Sequence, residues 1–218
     1  MSFRQYRPFE KGEHVLVGGD PSTGMGDYSV CIFLSRQHLD IPLVYQSKSV
    51  ASKMTTDIYP ILNTISEQTG VKPTIAYERN NGGVFEMDRL AALNRAGSFD
   101  IFQPKAYGTE GLKDTNKLGW DTNTATRPAM LSQLKEAIDQ QLITIPDRHI
   151  INELLSFVIV QTSSAWKAQA ESGAHDDLVM ALAIAWQMYH LAPQPKDMRN
   201  TYQEVHQMIS QRESEDFY

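Results

Sequence analysis

The stretch that most restricts the fold is "DDLVMALAIAWQMYH", residues 176 to 190. From Leu178 to Trp186 it holds no polar side chain. The run predicts a helix over about 175 to 190, and a helix apolar on every side is stable only where other elements cover it. It falls short of the ~20 residues of a membrane span, so the covering layer has to be protein. Ala181, Ala183 and Ala185 permit close approach on whichever faces are covered. Two carboxylates, Asp176 and Asp177, nevertheless open the segment, so its head has to reach a polar edge.

The rest of the chain supplies a sheet for that helix to cover. "HVLVGGD", "YSVCIFLS" and "IPLVYQSKS" are β-branched and aromatic, with turn residues before each. Met54, Ile58, Ile61, Leu62 and Ile65 fall at helical spacing over 53 to 68, with Pro60 inside and Gly70 as a stop. "PTIAYE" predicts another strand, "VFEMDRLAALNRAG" a helix, and "FDIFQPK" a further strand. Residues 106 to 125 predict a long loop. "ATRPAMLSQLKEAIDQQ" tolerates Pro128 in a first turn. "LITIP" is extended, "DRHIINELLSF" is a helix capped by Asp147, and "FVIVQTSSAWKAQA" is two extended pieces around a Ser-Ser turn. Three strands followed by strands alternating with helices give an α/β class, a mixed sheet flanked by helices. The expected organisation is a lead-in over 1–12, one domain over 13–190 and a tail over 191–218.

A length of 218 residues suits that single domain. A net charge of −6 argues against a nucleic-acid coat protein, but leaves room for an enzyme that meets DNA over a limited surface. Cys31, the only cysteine, predicts a small buried hydrophobe and a reducing, intracellular setting. Neither a signal peptide nor a membrane span is expected.

Three acidic positions stand where elements end. Asp20 closes the first strand of "VGGDPSTGMGDYS", Glu78 closes "IAYE", and Asp176 with Asp177 opens the last helix. In sheet-and-helix domains, functional groups gather where strands end and helices begin. Each acid also suits a plainer role. Asp20 before Pro21 fits a turn, Glu78 fits a solvated strand end, and the pair fits a cap with a first-turn acid. As a cluster, however, unmetallated carboxylates repel and raise one another's pKa. Hard divalent cations take oxygen ligands, and three or four acids suffice for two ions that clamp a phosphodiester.

"VGGDPSTGMGDYS", "IAYERNNGG", "KLGWDTNTATRPAMLSQL" and "SGAHDDLVMALAIAW" resemble, in order and spacing, the C-terminal nuclease domain of large terminase subunits, the DNA-packaging motor proteins of tailed bacteriophages. The resemblance spans about residues 13 to 190. It implies an RNase H-like fold, with three antiparallel strands followed by parallel strands alternating with helices. It implies two Mg²⁺ or Mn²⁺ ions held by Asp20, Glu78, Asp176 and Asp177, with Asp20 between both ions and Asp27 in an outer shell. His175 lies at the edge of this set, and a loop role suits it better than a ligand role. The implied activity is metal-dependent endonucleolytic cutting of concatemeric double-stranded DNA. Implied partners are DNA, the terminase ATPase domain, the small terminase subunit and the portal protein, in the host-cell cytoplasm. The sequence lacks a G-x-x-x-x-G-K-[ST] phosphate loop, so the resemblance is to the nuclease half alone, excised or separately encoded.

Lys105, Lys113, Lys117 and Arg127, interleaved with Tyr107, Trp120, Thr122 and Asn123, make a candidate phosphate-contacting surface. Glu110, Asp114 and Asp121 dilute it. Two other readings remain open on the sequence: a Holliday-junction resolvase or another RNase H-like nuclease, and a catalytically idle DNA-binding or docking module.

Overall fold

The computed structural model describes residues 2–108, 111–161, 166–170 and 175–195, without the side chains of 106–114 and 157–170. Its centre is a six-stranded sheet. β1 (Phe3–Gln5), β2 (Val15–Asp20), β3 (Ser29–Ser35) and β4 (Leu43–Ser47) pair antiparallel in the order β1-β4-β3-β2. After α1 (Ala51–Thr69), β5 (Thr74–Tyr77) joins β2 in parallel. α2 (Gly83–Leu93) then leads to β6 (Asp100–Ile101), parallel to β5 at the edge. The remaining elements are a hairpin of β7 (Lys105–Gly108) and β8 (Gly111–Asp114), helices α3 (Thr126–Asp139) and α4 (Arg148–Leu155), a second hairpin of β9 (Phe157–Gln161) and β10 (Trp166–Ala170), and α5 (Asp177–Leu191). The expected mixed sheet, antiparallel strands first and parallel ones after, is the sheet observed.

Alternation along the strands divides the core in two. Val15, Val17, Cys31, Phe33, Tyr45, Ile75 and Tyr77 face α1 and α2. Leu16, Val30, Ile32, Leu34, Val44 and Ala76 face α5, with α3 and α4 packed outside it. Every residue of α5 from Asp177 to Met188 is buried. α1 runs unbroken through Pro60 because the proline sits on its exposed face, where the carbonyl it strands can meet water. The apolar stripe Met54, Ile58, Leu62 and Ile65 holds the helix to the sheet.

One glycine sets the depth of α5. A Cβ on Gly18 of β2 would lie 2.2 Å from the Ala181 carbonyl oxygen and 2.6 Å from the Ala185 nitrogen, so helix and strand backbones touch. Leu16, Gly18 and Asp20 alternate onto this face of β2. Asp177, Ala181 and Ala185, four residues apart, share one stripe of α5.

Several expectations change. Residues 1–12 were expected to lead into the domain, yet β1 adds an edge strand to it. Arg7 reaches Glu13 and Asp40, each at 2.6 Å, and Arg4 reaches the buried Asp147 at 2.7 Å. Within the loop expected over 106–125, β7 and β8 pair. Of the expected tail over 191–218, Leu191 is the last residue of α5. Arg36, buried directly after β3, donates to the carbonyls of Tyr189, Ala192 and Pro193 and so closes the C-terminal end of the helix. Residues 196–218 lie outside the described residues.

Asp147 is the expected cap of α4, accepting from His149 N at 2.7 Å and Ile150 N at 3.3 Å. Burial pushes its carboxyl up, but hydrogen bonds from Arg4 and Tyr6 outweigh that and hold it below the usual carboxylate range. Asp147→Ala therefore removes a cap and half of an ion pair together. A loss of roughly 3 kcal/mol in urea unfolding is expected. A loss below about 1 kcal/mol would show that the N-terminal strand is not fastened through this residue.

Candidate active site

Asp20, the last residue of β2, projects toward α5. Glu78 follows β5 directly and continues its pairing, donating its N–H to the Gly19 carbonyl at 2.7 Å. The chain turns at once after Glu78, and a Cβ on Gly83 would lie 1.8 Å from the Glu78 carbonyl oxygen. "NNGG" thus lets α2 begin against the strand that delivers the acid. Asp177 opens α5 one turn before Ala181. These elements bring Asp20, Glu78, Asp176, Asp177 and Asp27 to one cavity of about 240 Å³. Its rim carries Asn81, Arg127, His175 and Met180.

The two helix acids differ. Asp177 is 8% exposed and accepts the Tyr28 N–H at 3.1 Å. Asp176 points to Arg127, whose guanidinium donates to it at 2.7 Å while another nitrogen lies 3.1 Å from the Met180 sulfur. Asp176 makes no side-chain cap, so the plainer reading of the pair as a simple N-cap is not what the helix uses. The Asn80 amide donates to Glu78 at 3.3 Å.

The inward acids crowd one another. Burial, then the charge and hydrogen bond of Glu78, then the charges of Asp177 and Asp176, push the Asp20 carboxyl well above the usual range. Burial lifts Asp177 to about 6, against the favourable Tyr28 N–H and with a further push from Asp27. A hydrogen bond between two carboxyl side chains requires a proton between them. Without a cation, the cluster is under electrostatic stress that protons relieve. His175 Nδ1 lies 3.5 Å from Asp177 and 3.6 Å from Asp27, and one donor atom from each of these three residues falls within 4.8 Å of the others.

The proposed DNA-facing set divides. Arg127 stands in the acidic cavity, paired with Asp176. Lys117 pairs with Asp121 at 3.3 Å, and the exposed Lys105 starts β7. The side chain of Lys113 lies outside the described residues. The "KLGWD" segment earns its place through Trp120, which pairs with β5: its N–H reaches the Tyr77 carbonyl at 2.8 Å. Asn123 then caps α3, accepting from Ala125 N at 2.9 Å and Thr126 N at 3.0 Å, which sets Arg127 over the cavity.

Glu153 went unnoticed in the sequence. It lies on α4, yet accepts from Leu178 N at 2.8 Å and Val179 N at 3.3 Å, capping α5 from another helix. Burial pushes its carboxyl up to about 7, opposed by those two N–H groups. Its only local signal is a polar stripe, His149, Asn152, Glu153 and Ser156, along a helix that is otherwise largely apolar.

No family model and no curated protein matches the sequence. Solved structures do match. The large terminase nuclease of thermophilic phage G20c is 19% identical with a TM-score of 0.60, covering 87% of this chain and 89% of that one. The large terminase nuclease domain of Thermus phage P74-26 is 20% identical with a TM-score of 0.60, covering 90% of each. The human cytomegalovirus terminase nuclease domain, manganese-soaked and inhibitor-bound, is 10% identical with a TM-score of 0.54, covering 81% of this chain and 84% of that one. The G20c nuclease structures include ones with bound cobalt, magnesium and zinc. Over most of its length, then, the chain has the RNase H-like fold of large terminase nuclease domains.

Proposed function

We propose that this chain is the metal-dependent endonuclease domain of a viral genome-packaging terminase, cutting concatemeric double-stranded DNA. The observation that carries this reading is the convergence of Asp20, Glu78 and Asp177, from two neighbouring strands and the central helix, on one cavity. Fold likeness to terminase nucleases supports it. The ATPase domain of a large terminase, the small terminase subunit and the portal protein are the partners that follow from the same reading. Among the described residues no helix is long and apolar enough to cross a membrane.

The donor set fits a hard divalent cation. It is rich in carboxylate oxygens, and the crowding of Asp20 by Glu78 and Asp177, which with burial pushes the Asp20 carboxyl up, marks negative charge that a proton or a cation would relieve. Asp20, Glu78 and Asp177 would hold two Mg²⁺ or Mn²⁺ ions, with Asp176 and Asp27 at their margin. Such ions, when bound, lower the pKa of an attacking water and offset charge that develops on the phosphodiester. Asp20, buried and pressed by both Glu78 and Asp177, would contribute its carboxylate to the cations this set would hold. Tyr28 N–H and Asn80 fix the orientation of Asp177 and Glu78. Arg127 turns Asp176 aside and leaves a guanidinium at the rim, where it can meet a phosphate oxygen.

Supercoiled plasmid incubated with Mg²⁺, Mn²⁺ or EDTA tests this directly. Nicking and linearisation that require the metal are expected. Absence of cleavage with every metal would move the function to a DNA-docking module.

The charge crowding also has a thermodynamic signature. A carboxyl whose folded pKa exceeds its unfolded value stabilises the fold most below the unfolded value, and that contribution is lost as pH rises through the folded one. For Asp177 the window runs from about 4 to about 6, and Glu153 extends it to about 7. In EDTA, the melting temperature is therefore expected to fall by several degrees between about pH 5 and pH 7.5, since roughly 1 kcal/mol moves it 2–4 °C in a chain of this size. Millimolar Mg²⁺ or Mn²⁺ at the higher pH should restore it by mass action. A melting temperature indifferent to both pH and metal would show that the acids are not under mutual repulsion.

A further inference from the structure

A second cavity, of about 280 Å³, adjoins the acidic one and shares His175 with it. We propose that it is a subsite for the DNA backbone next to the cleaved phosphodiester, binding a flanking nucleotide; this rests on the nuclease reading above. A DNA strand whose phosphate reacts among the acids has to leave the cavity past one of its walls. Beyond His175 it meets Tyr28, whose N–H holds Asp177 and whose ring meets His175 edge-on with centroids 5.3 Å apart. The two cavities are therefore joined through residues that already touch the catalytic acids.

The lining of this second cavity suits a polyanion better than the first does. One wall is the polar stripe of α4, where His149, Asn152, Glu153 and Ser156 follow helical spacing. The other is Tyr28, directly before β3, and Gln46 of β4. Glu153 is the only carboxylate in this lining, against five in the acidic cavity. One of its oxygens is occupied by the Leu178 and Val179 N–H groups. His149 and Asn152 are exposed, and their side chains make no hydrogen bond among the described residues. Lys48 stands over the Tyr28 ring, its Nζ 5.1 Å from the centroid, and adds a positive charge at the rim. Neutral hydrogen-bonding groups, one aromatic face and a nearby cation are what backbone-directed, sequence-tolerant DNA contact uses.

The test is steady-state cleavage of a linear duplex by the full chain, comparing wild type with Asn152→Asp and with a His149→Ala, Asn152→Ala double variant. Both positions are exposed on α4, and unchanged melting temperatures check that the fold is kept. The double variant is expected to raise KM roughly fivefold to tenfold through the loss of two backbone contacts, with kcat within about twofold. Asn152→Asp places a negative charge on the same path, so it should raise KM further at low salt, with the difference from wild type shrinking as salt screens the repulsion. An unchanged KM in both variants would overturn the subsite. A fall in kcat at constant KM would also overturn it, because α4 would then act only through Glu153 on the acids. If the wild type cuts nothing, the nuclease reading fails, and fluorescence anisotropy with the same duplex decides the subsite separately. Weaker binding by the double variant sustains it, and equal binding removes it.

Discussion

If Asp20 holds the cation as proposed, Asp20→Asn is expected to lower the rate of plasmid cleavage by on the order of a thousandfold or more while leaving a folded protein, because the loss of a metal ligand would remove several kcal/mol of transition-state stabilisation. The same substitution should make the metal-free protein more stable. Asp20 is pressed by Glu78, Asp177 and Asp176, and Asn removes one of the mutually repelling charges without changing the shape of the side chain. Cleavage and stability should therefore move in opposite directions, which no simple folding defect produces. Asp177→Asn is expected to match the loss of activity, since its carboxylate faces inward and is fixed by Tyr28 N–H. Asp176→Asn should cost far less, because that carboxylate is spent on Arg127. Cleavage and melting curves for the three purified variants give the comparison. Equal losses at positions 176 and 177 would show that the ion pair with Arg127 opens in the working site; full activity of Asp20→Asn would remove Asp20 from it.

The parts of this molecule that were legible in the sequence are those where a local pattern and a tertiary need coincide. Residues 178–186 could be read as a covered helix because no polar residue interrupts them, and Asp20 and Glu78 could be read as strand-end acids because apolar runs lead straight into them. What escaped has no local period. β1 is three residues long and exists through its pairing with β4 and through Arg4, whose partner Asp147 is 143 positions away. Glu153 looks like any polar residue of an amphipathic helix until α5 is placed above it. Arg127 was grouped with lysines by sequence proximity, and only the cap at Asn123 and the pairing of Trp120 with β5 show that it faces the acids instead. The distinction between Asp176 and Asp177 was equally out of reach, since adjacent helical residues differ by about 100° and the direction of the cavity is set by the sheet.

Gly18→Ala is expected to be among the most damaging single-methyl changes in the protein, at roughly 3 kcal/mol or more in urea unfolding. The added Cβ would sit 2.2 Å from the Ala181 carbonyl oxygen and 2.6 Å from the Ala185 nitrogen. Both are backbone atoms, so no rotamer change relieves the contact, and replacing Ala181 or Ala185 by glycine is not expected to rescue it. The helix itself has to move away from β2. Its displacement carries Asp177, on the same stripe as Ala181 and Ala185, away from Asp20, which shares the alternating face of Gly18. Folded Gly18→Ala protein should accordingly cut more slowly and gain less thermal stability from Mg²⁺ or Mn²⁺ than the wild type, although no ligand has been altered. Gly12→Ala is the matching control: a Cβ there meets nothing within 4 Å, so its left-handed φ of 83° costs only local strain, about 1 kcal/mol. If Gly18→Ala instead kept both wild-type stability and metal response, α5 would not be seated directly on the β2 backbone. The spacing of the acids would then have to be set by something other than this glycine.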